Sequence, residues 1–397
     1  MRYTYLKSIA VLFQWKHPIC KGLHATVILG VLTIGIALGQ TRLRPVIEIK
    51  NLTTINRDTE LVAIPYKSIQ SKLPQGGSVP FKLINMKGDA EVPYQIEYRG
   101  NAEPINILVQ VNCPANTSLL LTVQAGKPAF VRPKTYARFV PERFDDFAWE
   151  NDRIAHRIYG PALAKRPDNA YGIDVWSKST TALILDKWYK LMDFDTDHGE
   201  GLDFYGVGKS LGAGDIALYV RDTLYFTNNY STWKILDNGP LRSTFQLTYA
   251  AKKASDITYT VTKTISIDAG SQLSRIEVVF DSQDAELPVA IGIVKRAKPG
   301  KTLFDNNAAV MGYWEPENPA HGTTGLGCVF ISPVKKMGEE KGHLLTTAIA
   351  KSGQPFVYYT GAAWSRSAYI KNDQRWFNYL TGFSEQVKHP LEVKIIQ

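Results

Sequence analysis

From Val46 to Lys127 the chain is a series of short runs in which apolar and polar positions alternate: VIEIKN, ELVAIPYKSI, VPFKLIN, PYQIEYRG, INILVQVN and SLLLTVQAG. Alternation with a period of two marks strands that bury one face, and the Asn, Gly, Pro and Asp clusters between the runs mark turns. Residues 45–128 are therefore expected to form an immunoglobulin-like β-sandwich. Lys127 to Lys134, with two prolines, reads as a linker. Beyond it TYTVTKTISI (Thr258–Ile267) alternates strictly, and similar runs fall at 172–178, 216–227, 242–249, 273–280, 288–294, 325–331, 344–350 and 355–360. So many strands in one open sheet would leave long edges exposed, so two large stacked sheets are expected over 135–397. One helix stands out. NDQRWFNYLTGFSEQVKH has a capping Asn372, places Trp376, Leu380 and Phe383 on one face, and stops before Pro390. The fold class is all-β.

The first thirty-nine residues have a different pattern. Arg2, Lys7, Lys16 and Lys21 precede an apolar run from Ala25 to Leu38, with small Ala37 and Gly39 placed for cleavage before Gln40. This is the pattern of an export signal, and the run is too short to span a bilayer comfortably. A secreted, periplasmic protein without stable membrane insertion after cleavage is expected, with a retained N-terminal anchor as the alternative because the basic region is long. The net charge of +9 includes the four basic residues of this leader. The remaining excess is mild, which favours a small anionic partner over a nucleic-acid track. Only Cys113 and Cys328 follow the leader, so a disulfide framework is excluded and two buried thiols are expected.

Two segments concentrate chemistry. DHGEGLDFYG (Asp197–Gly206), continued by VGKSLGAGD, holds a histidine, three carboxylates, a tyrosine and many glycines. GVGKS imitates a phosphate loop, but Asp203 stands where the first glycine is needed and no strand-then-helix pattern surrounds it. The glycines read instead as places where backbone turns or approaches a ligand closely. If the segment is extended, His198 and Glu200 share a face and converge on one ligand, with Tyr205 joining through the Gly-rich turn. His198, Glu200 and Asp203 also form a mixed nitrogen and oxygen set for a divalent cation, though no closed zinc pattern fits. ERFDDFAWENDRIAHRIYG (Glu142–Gly160) is the second segment. It reads as a solvated face or an interdomain salt-bridge patch or, through Trp149 and Tyr159 beside Arg153, Glu150 and Asp152, as a saccharide subsite. His321 lies near Trp314 and Glu315, where it lines a cleft or faces solvent; Arg296 faces an anionic substrate or solvent equally well.

The blocks VPERFDDFAWENDRIAHRIYGPAL, YGIDVWSKS, ILDKWYK, DHGEGLDFYGVGKSLGAGD, DAGSQLSRIEV, LPVAIGI and YYTGAAWSRS occur in order over Pro141 to Gln397. They resemble a family long catalogued as a domain of unknown function, met in polysaccharide-utilisation loci of marine and gut Bacteroidetes. That resemblance implies a β-supersandwich of the galactose-mutarotase type. It also implies a role similar to an oligosaccharide dehydratase of ulvan breakdown, which removes water from a terminal uronic acid to give a 4,5-unsaturated sugar. Such an elimination needs a cation on the substrate carboxylate, a base for the C5 proton and an acid for the departing C4 oxygen. The expected assignments are His198 as base, Tyr205 as acid and Arg153 on the carboxylate, with His156 the competing base. Trp149, Glu150, Asp152, Tyr159, Glu200, Asp203 and Arg296 are expected to contact the anionic oligosaccharide. No cofactor is required, a divalent cation being the one open addition. The alternatives are a glycoside hydrolase using Glu200 and Asp203, and a noncatalytic glycan-binding protein.

Overall fold

The computed structural model describes residues 46–396, so the export signal expected over 1–39 lies outside the described residues. The fold is all-β and antiparallel. The first part is a sandwich of two sheets. One has the order Glu392–Ile395, Ile47–Lys50, Ser118–Ala125, Phe81–Asn85, Glu91–Val92; the other has the order Arg57–Pro65, Asn106–Cys113, Tyr94–Glu97. Alternate side chains of both meet in one core that includes Ile47, Ile49, Ile64, Leu83, Ile107, Val109 and Leu121. Two details differ from the sequence expectation. PYKSI turns into short helices after Pro65, and an outer strand of the first sheet comes from the other end of the chain.

Residues 127–134 carry no regular structure. The larger body follows, built on an eight-stranded sheet in the order Thr232–Asn238, Arg242–Ala254, Ile257–Asp268, Leu273–Ser282, Pro355–Trp364, Thr324–Phe330, Val310–Trp314, Lys301–Asp305. Two five-stranded sheets share its core. One is Thr223–Phe226, Ala213–Val220, Glu286–Val294, His343–Lys351, Val334–Glu340; the other is Gly201–Leu202, Ile173–Lys178, Ala155–Ile158, Asp146–Asn151, Thr135–Val140. Phe147 and Trp149 from the latter, Phe245, Ile265 and Ile276 from the large sheet, and Ile216, Ile291 and Leu344 from the former belong to one apolar cluster. The helix Asp373–Lys388 begins at Asn372, whose side chain accepts from the Arg375 N–H. Its Trp376 and Leu380 pack with Val310 and Val329.

Most of the charge-rich segment is not a solvated face, and its Trp149 and Glu150 are enclosed in the fold. It forms the strands Asp146–Asn151 and Ala155–Ile158, buried on both faces. Phe147, Trp149 and Ile158 point into the main core, while Ala148 and Ala155 face a second cluster containing Trp176, Trp188 and Tyr189. The cover on that side is the helix Leu185–Leu191. Glu150 fixes it by accepting from the N–H groups of Ile184 and Leu185 and from Lys178 Nζ at 2.6 Å.

Candidate functional site

At one end of that covered face the charges collect around a single guanidinium. Arg157 and Asp174 are direct cross-strand partners, and the Arg157 Nε donates to Asp174 at 2.9 Å. The Arg157 Nη2 also reaches Asp203 at 2.9 Å, and Asp146 lies 3.8 Å from Nε. The Tyr159 hydroxyl donates to Asp174 at 3.2 Å. Three carboxylates around one buried cation cannot all keep ordinary acidity. Burial, helped by the negative charge of Asp174, pushes Asp203 up to about 8. Burial also raises Asp146, to about 6, against the pull of Arg157 and Arg143. Near neutral pH the Asp174–Asp203 pair therefore retains a proton.

The loop that carries Asp203 is held against the strand Ile173–Lys178 at both ends. Gly201 and Leu202 pair with Lys178 and Ser177, and Gly212 bridges Ile173. Gly201 has φ +117°, and a Cβ there would meet the Ser177 carbonyl oxygen at 2.0 Å; at Gly212 it would meet that of Ile173 at 2.2 Å. These glycines let backbone press on backbone, which corrects the expectation that they admit a sugar. The extended segment is also absent. The Asp197 carboxylate accepts from the N–H groups of Gly199 and Gly201 and closes a turn, so only Gly201–Leu202 is strand.

The same loop places Tyr205 beneath Arg296, whose guanidinium carbon is 4.5 Å from the ring centroid. Arg296 pairs with Glu315 at 2.5 Å and donates to the Gly206 carbonyl at 2.7 Å. Tyr205 is 4% exposed, and its hydroxyl has no hydrogen-bond partner. Burial first, then the charges of Glu315 and Asp174, hold that phenol well above its usual range. Glu315 is likewise raised by burial, opposed by Arg296. Arg157 Nη1 and the Tyr189 hydroxyl are also buried without hydrogen-bond partners, and Arg143 Nη1 has only an ion pair with Asp146 at 3.6 Å. Each such group costs about 1–3 kcal/mol. A fold that keeps several of them together, beside carboxylates of shifted acidity, marks this cluster as the candidate active site.

Of the residues singled out from sequence, Tyr159, Asp203, Tyr205 and Arg296 come together here. His198 does not: it is exposed and paired with Asp193 at 2.8 Å. Glu200 turns to Lys187 at 2.6 Å, so His198 and Glu200 do not converge. With Asp203 they make no cation site, and among the described residues no group of three His, Cys, Asp or Glu side chains is placed to hold a metal ion. His156 is fully buried, stacked 5.0 Å from Trp149, and burial pushes its pKa down to about 3. Trp149 is a core residue that donates to Ser274. Glu150 is the helix cap already described, and Asp152 accepts from the Gly270 N–H. Arg153 lies 3.4 Å above the Tyr369 ring. Sequence reasoning missed Arg157, Asp174 and Glu315 as members of the cluster. The available signal was a carboxylate inside the otherwise apolar run GIDVW.

The fold and this cluster define an antiparallel β-sandwich protein with a buried Arg, Asp and Tyr network at the ends of the inner strands of one sheet. The chain belongs to the family described as Domain of unknown function (DUF4861), which matches residues 49–393. A relative, "Uncharacterized protein P7" of Formosa agariphila, is 33% identical over 296 residues, covering 70% of this chain and 73% of the relative. An α-mannosidase from Enterococcus faecalis V583 superposes with a TM-score of 0.49 at 11% identity, over 88% of this chain and 46% of that one. A protein in glycosyl hydrolase family 38 from Enterococcus faecalis superposes with a TM-score of 0.49 at 12% identity, over 88% and 47%. This chain spans about half the length of those two proteins.

Proposed function

We propose that this protein is a carbohydrate-active enzyme, a carbon–oxygen lyase acting on uronic-acid-containing oligosaccharides of the ulvan type. It eliminates water or a glycosidic leaving group to give a 4,5-unsaturated uronate, and it works outside the cytoplasm once the leader is removed. The observation that carries the reading is the unpartnered Tyr205 hydroxyl, buried under Arg296 and flanked by Glu315. The sequence resemblance supplies the substrate class.

Each need of the elimination has a group in this cluster. Arg296, 28% exposed, is the cation available to an incoming carboxylate. A substrate that takes Arg296 displaces Glu315, whose pKa burial raises, making its carboxylate a stronger base for the C5 proton. Tyr205 keeps its proton at neutral pH and supplies it to the departing C4 oxygen. The neutralised carboxylate stabilises the charge that develops at C5. The roles first expected of His198 and Arg153 pass to Glu315 and Arg296.

Incubation with a panel of uronic-acid oligosaccharides, followed by ultraviolet absorbance and mass spectrometry, tests this. Rising absorbance of a conjugated double bond with loss of one water identifies a dehydratase, and rising absorbance with chain shortening a lyase. Shortened products without the absorbance sink the reading in favour of a hydrolase. Affinity without turnover sinks it in favour of a glycan-binding protein.

A further inference from the structure

A cavity of about 300 Å³ opens where three parts of the molecule meet. The β-bulge at Asp58–Thr59 of the sandwich forms one side, the ends of the strands around Arg242, Asp268 and Arg275 the floor, and the helix Asp373–Lys388 the other side. None of its lining residues belongs to the Arg157, Tyr205 and Glu315 cluster. A cavity of this size accommodates a ligand of one or two sugar rings.

Its two walls differ in character. Leu273, Tyr359, Tyr379, Phe383 and Val387 make one wall apolar and aromatic; Asp58, Thr59, Ser266, Asp268 and Ser271 make the other polar. Sugar rings have this division, with C–H surfaces on the faces and hydroxyls at the rim. The charges decide which sugars fit. Arg242 is bound to Asp268 at 2.5 and 2.7 Å and to Glu97 at 3.2 Å. Arg275 is bound to Glu277 at 2.5 Å, and Glu60 to Arg57 at 3.0 Å. Every lining cation is thus committed to a carboxylate, and among the described residues the lining charge without an ion pair is the acid Asp58. An anionic ligand would have to break an existing ion pair and meet Asp58 as well.

We propose that this junction cavity binds a neutral saccharide unit, with one ring face on the Tyr359–Phe383 pair, whose rings pack edge-to-face at 5.0 Å, and its hydroxyls toward Asp58, Ser266 and the Asp268–Arg242 pair. It is a binding site separate from the candidate active site, of opposite charge preference, and it does not depend on the lyase reading. In a chain-degrading protein such a site would hold neutral residues of a mixed polymer while acidic residues are processed elsewhere.

Calorimetric titration of the full protein with cellobiose, xylobiose and maltotriose, with a glucuronic-acid disaccharide as the anionic comparison, tests the proposal. Saturable binding of at least one neutral probe is expected, weakened about tenfold or more by Phe383→Ala, the order for losing a stacked aromatic face. Gln386→Trp, which fills the cavity from the helix that lines it, keeps the test valid if Phe383→Ala misfolds and is expected to abolish the same binding. Neither variant touches the Tyr205 cluster, so turnover of a uronate substrate is retained if that reading holds. No saturable binding by any neutral probe, binding unchanged in Gln386→Trp, or equal binding of the glucuronic-acid disaccharide would each overturn the assignment.

Discussion

Tyr205 separates a residue that serves chemistry from one that serves packing. Its hydroxyl contributes no hydrogen bond to the fold, so Tyr205→Phe is expected to leave the melting temperature unchanged or slightly higher. As the proton donor its loss should lower kcat by about 10²–10⁴. His198→Ala provides the contrast: exposed and paired only with Asp193, His198 should change neither quantity appreciably. A kinetic and calorimetric comparison of the two variants checks both statements, and a dead His198→Ala enzyme would return the base to His198. Asp203 makes a separate prediction in pH. Its folded-state pKa of about 8 lies above the ordinary 3.8, so between those values the folded protein holds a proton that the unfolded chain has released. Its contribution to stability is complete below the lower value and lost as pH rises toward the upper one. Asp203→Asn should therefore gain on the parent in thermal unfolding as pH is raised from 5 to 8; a constant difference would contradict the shift. Tyr205, Asp203 and Tyr159 stood out because polar residues of these types crowd two short segments, whereas Arg296, after an apolar strand, was left open between an anionic substrate and solvent. Glu315 and Asp174 did not stand out, since their partners lie elsewhere in the chain and only the sheet register and loop closure bring them near.

At the scale of elements, periodicity revealed most strands and the long helix, because an alternating run or a 3.6-residue stripe is a local property. It did not reveal Asp146–Ile158 as strands. In that segment the second face is also buried, and the polar residues on it are neutralised by Lys178, Arg157 and a seven-residue helix rather than by water. Alternation says which residues share a face; it does not say whether that face is wet. The helix Leu185–Leu191 is too short to announce itself by pattern and depends on its cap. Glu150→Gln should remove the buried charge that caps the helix and pairs with Lys178, leaving Lys178 uncompensated. A loss of about 3–5 kcal/mol is expected, measurable by denaturant unfolding, whereas a loss below about 1 kcal/mol would show that the pair is not what holds the helix.

For the whole molecule, the proline-containing linker at 127–134 after a segment of sandwich size suggested two lobes. The tie between them was hidden. Gln95 accepts from the N–H groups of Leu241 and Arg242, and Asp237 accepts from those of Tyr98 and Arg99. Glu392–Ile395 leaves the large body to pair with Ile47–Lys50, a match over a sequence distance at which no local signal exists. A variant lacking residues 391–397 should expose that strand's backbone and loosen the sandwich first. Limited proteolysis should then cut within residues 46–125 before it cuts the body, and uniform cutting would argue against the tie. The same pairing sets an order of events during synthesis. The sheet begun by Ile47–Lys50 gains its fifth strand only after Glu392–Ile395 has left the ribosome. Until then that strand keeps an unfilled edge, and a sheet begun before the larger body is made is completed after it.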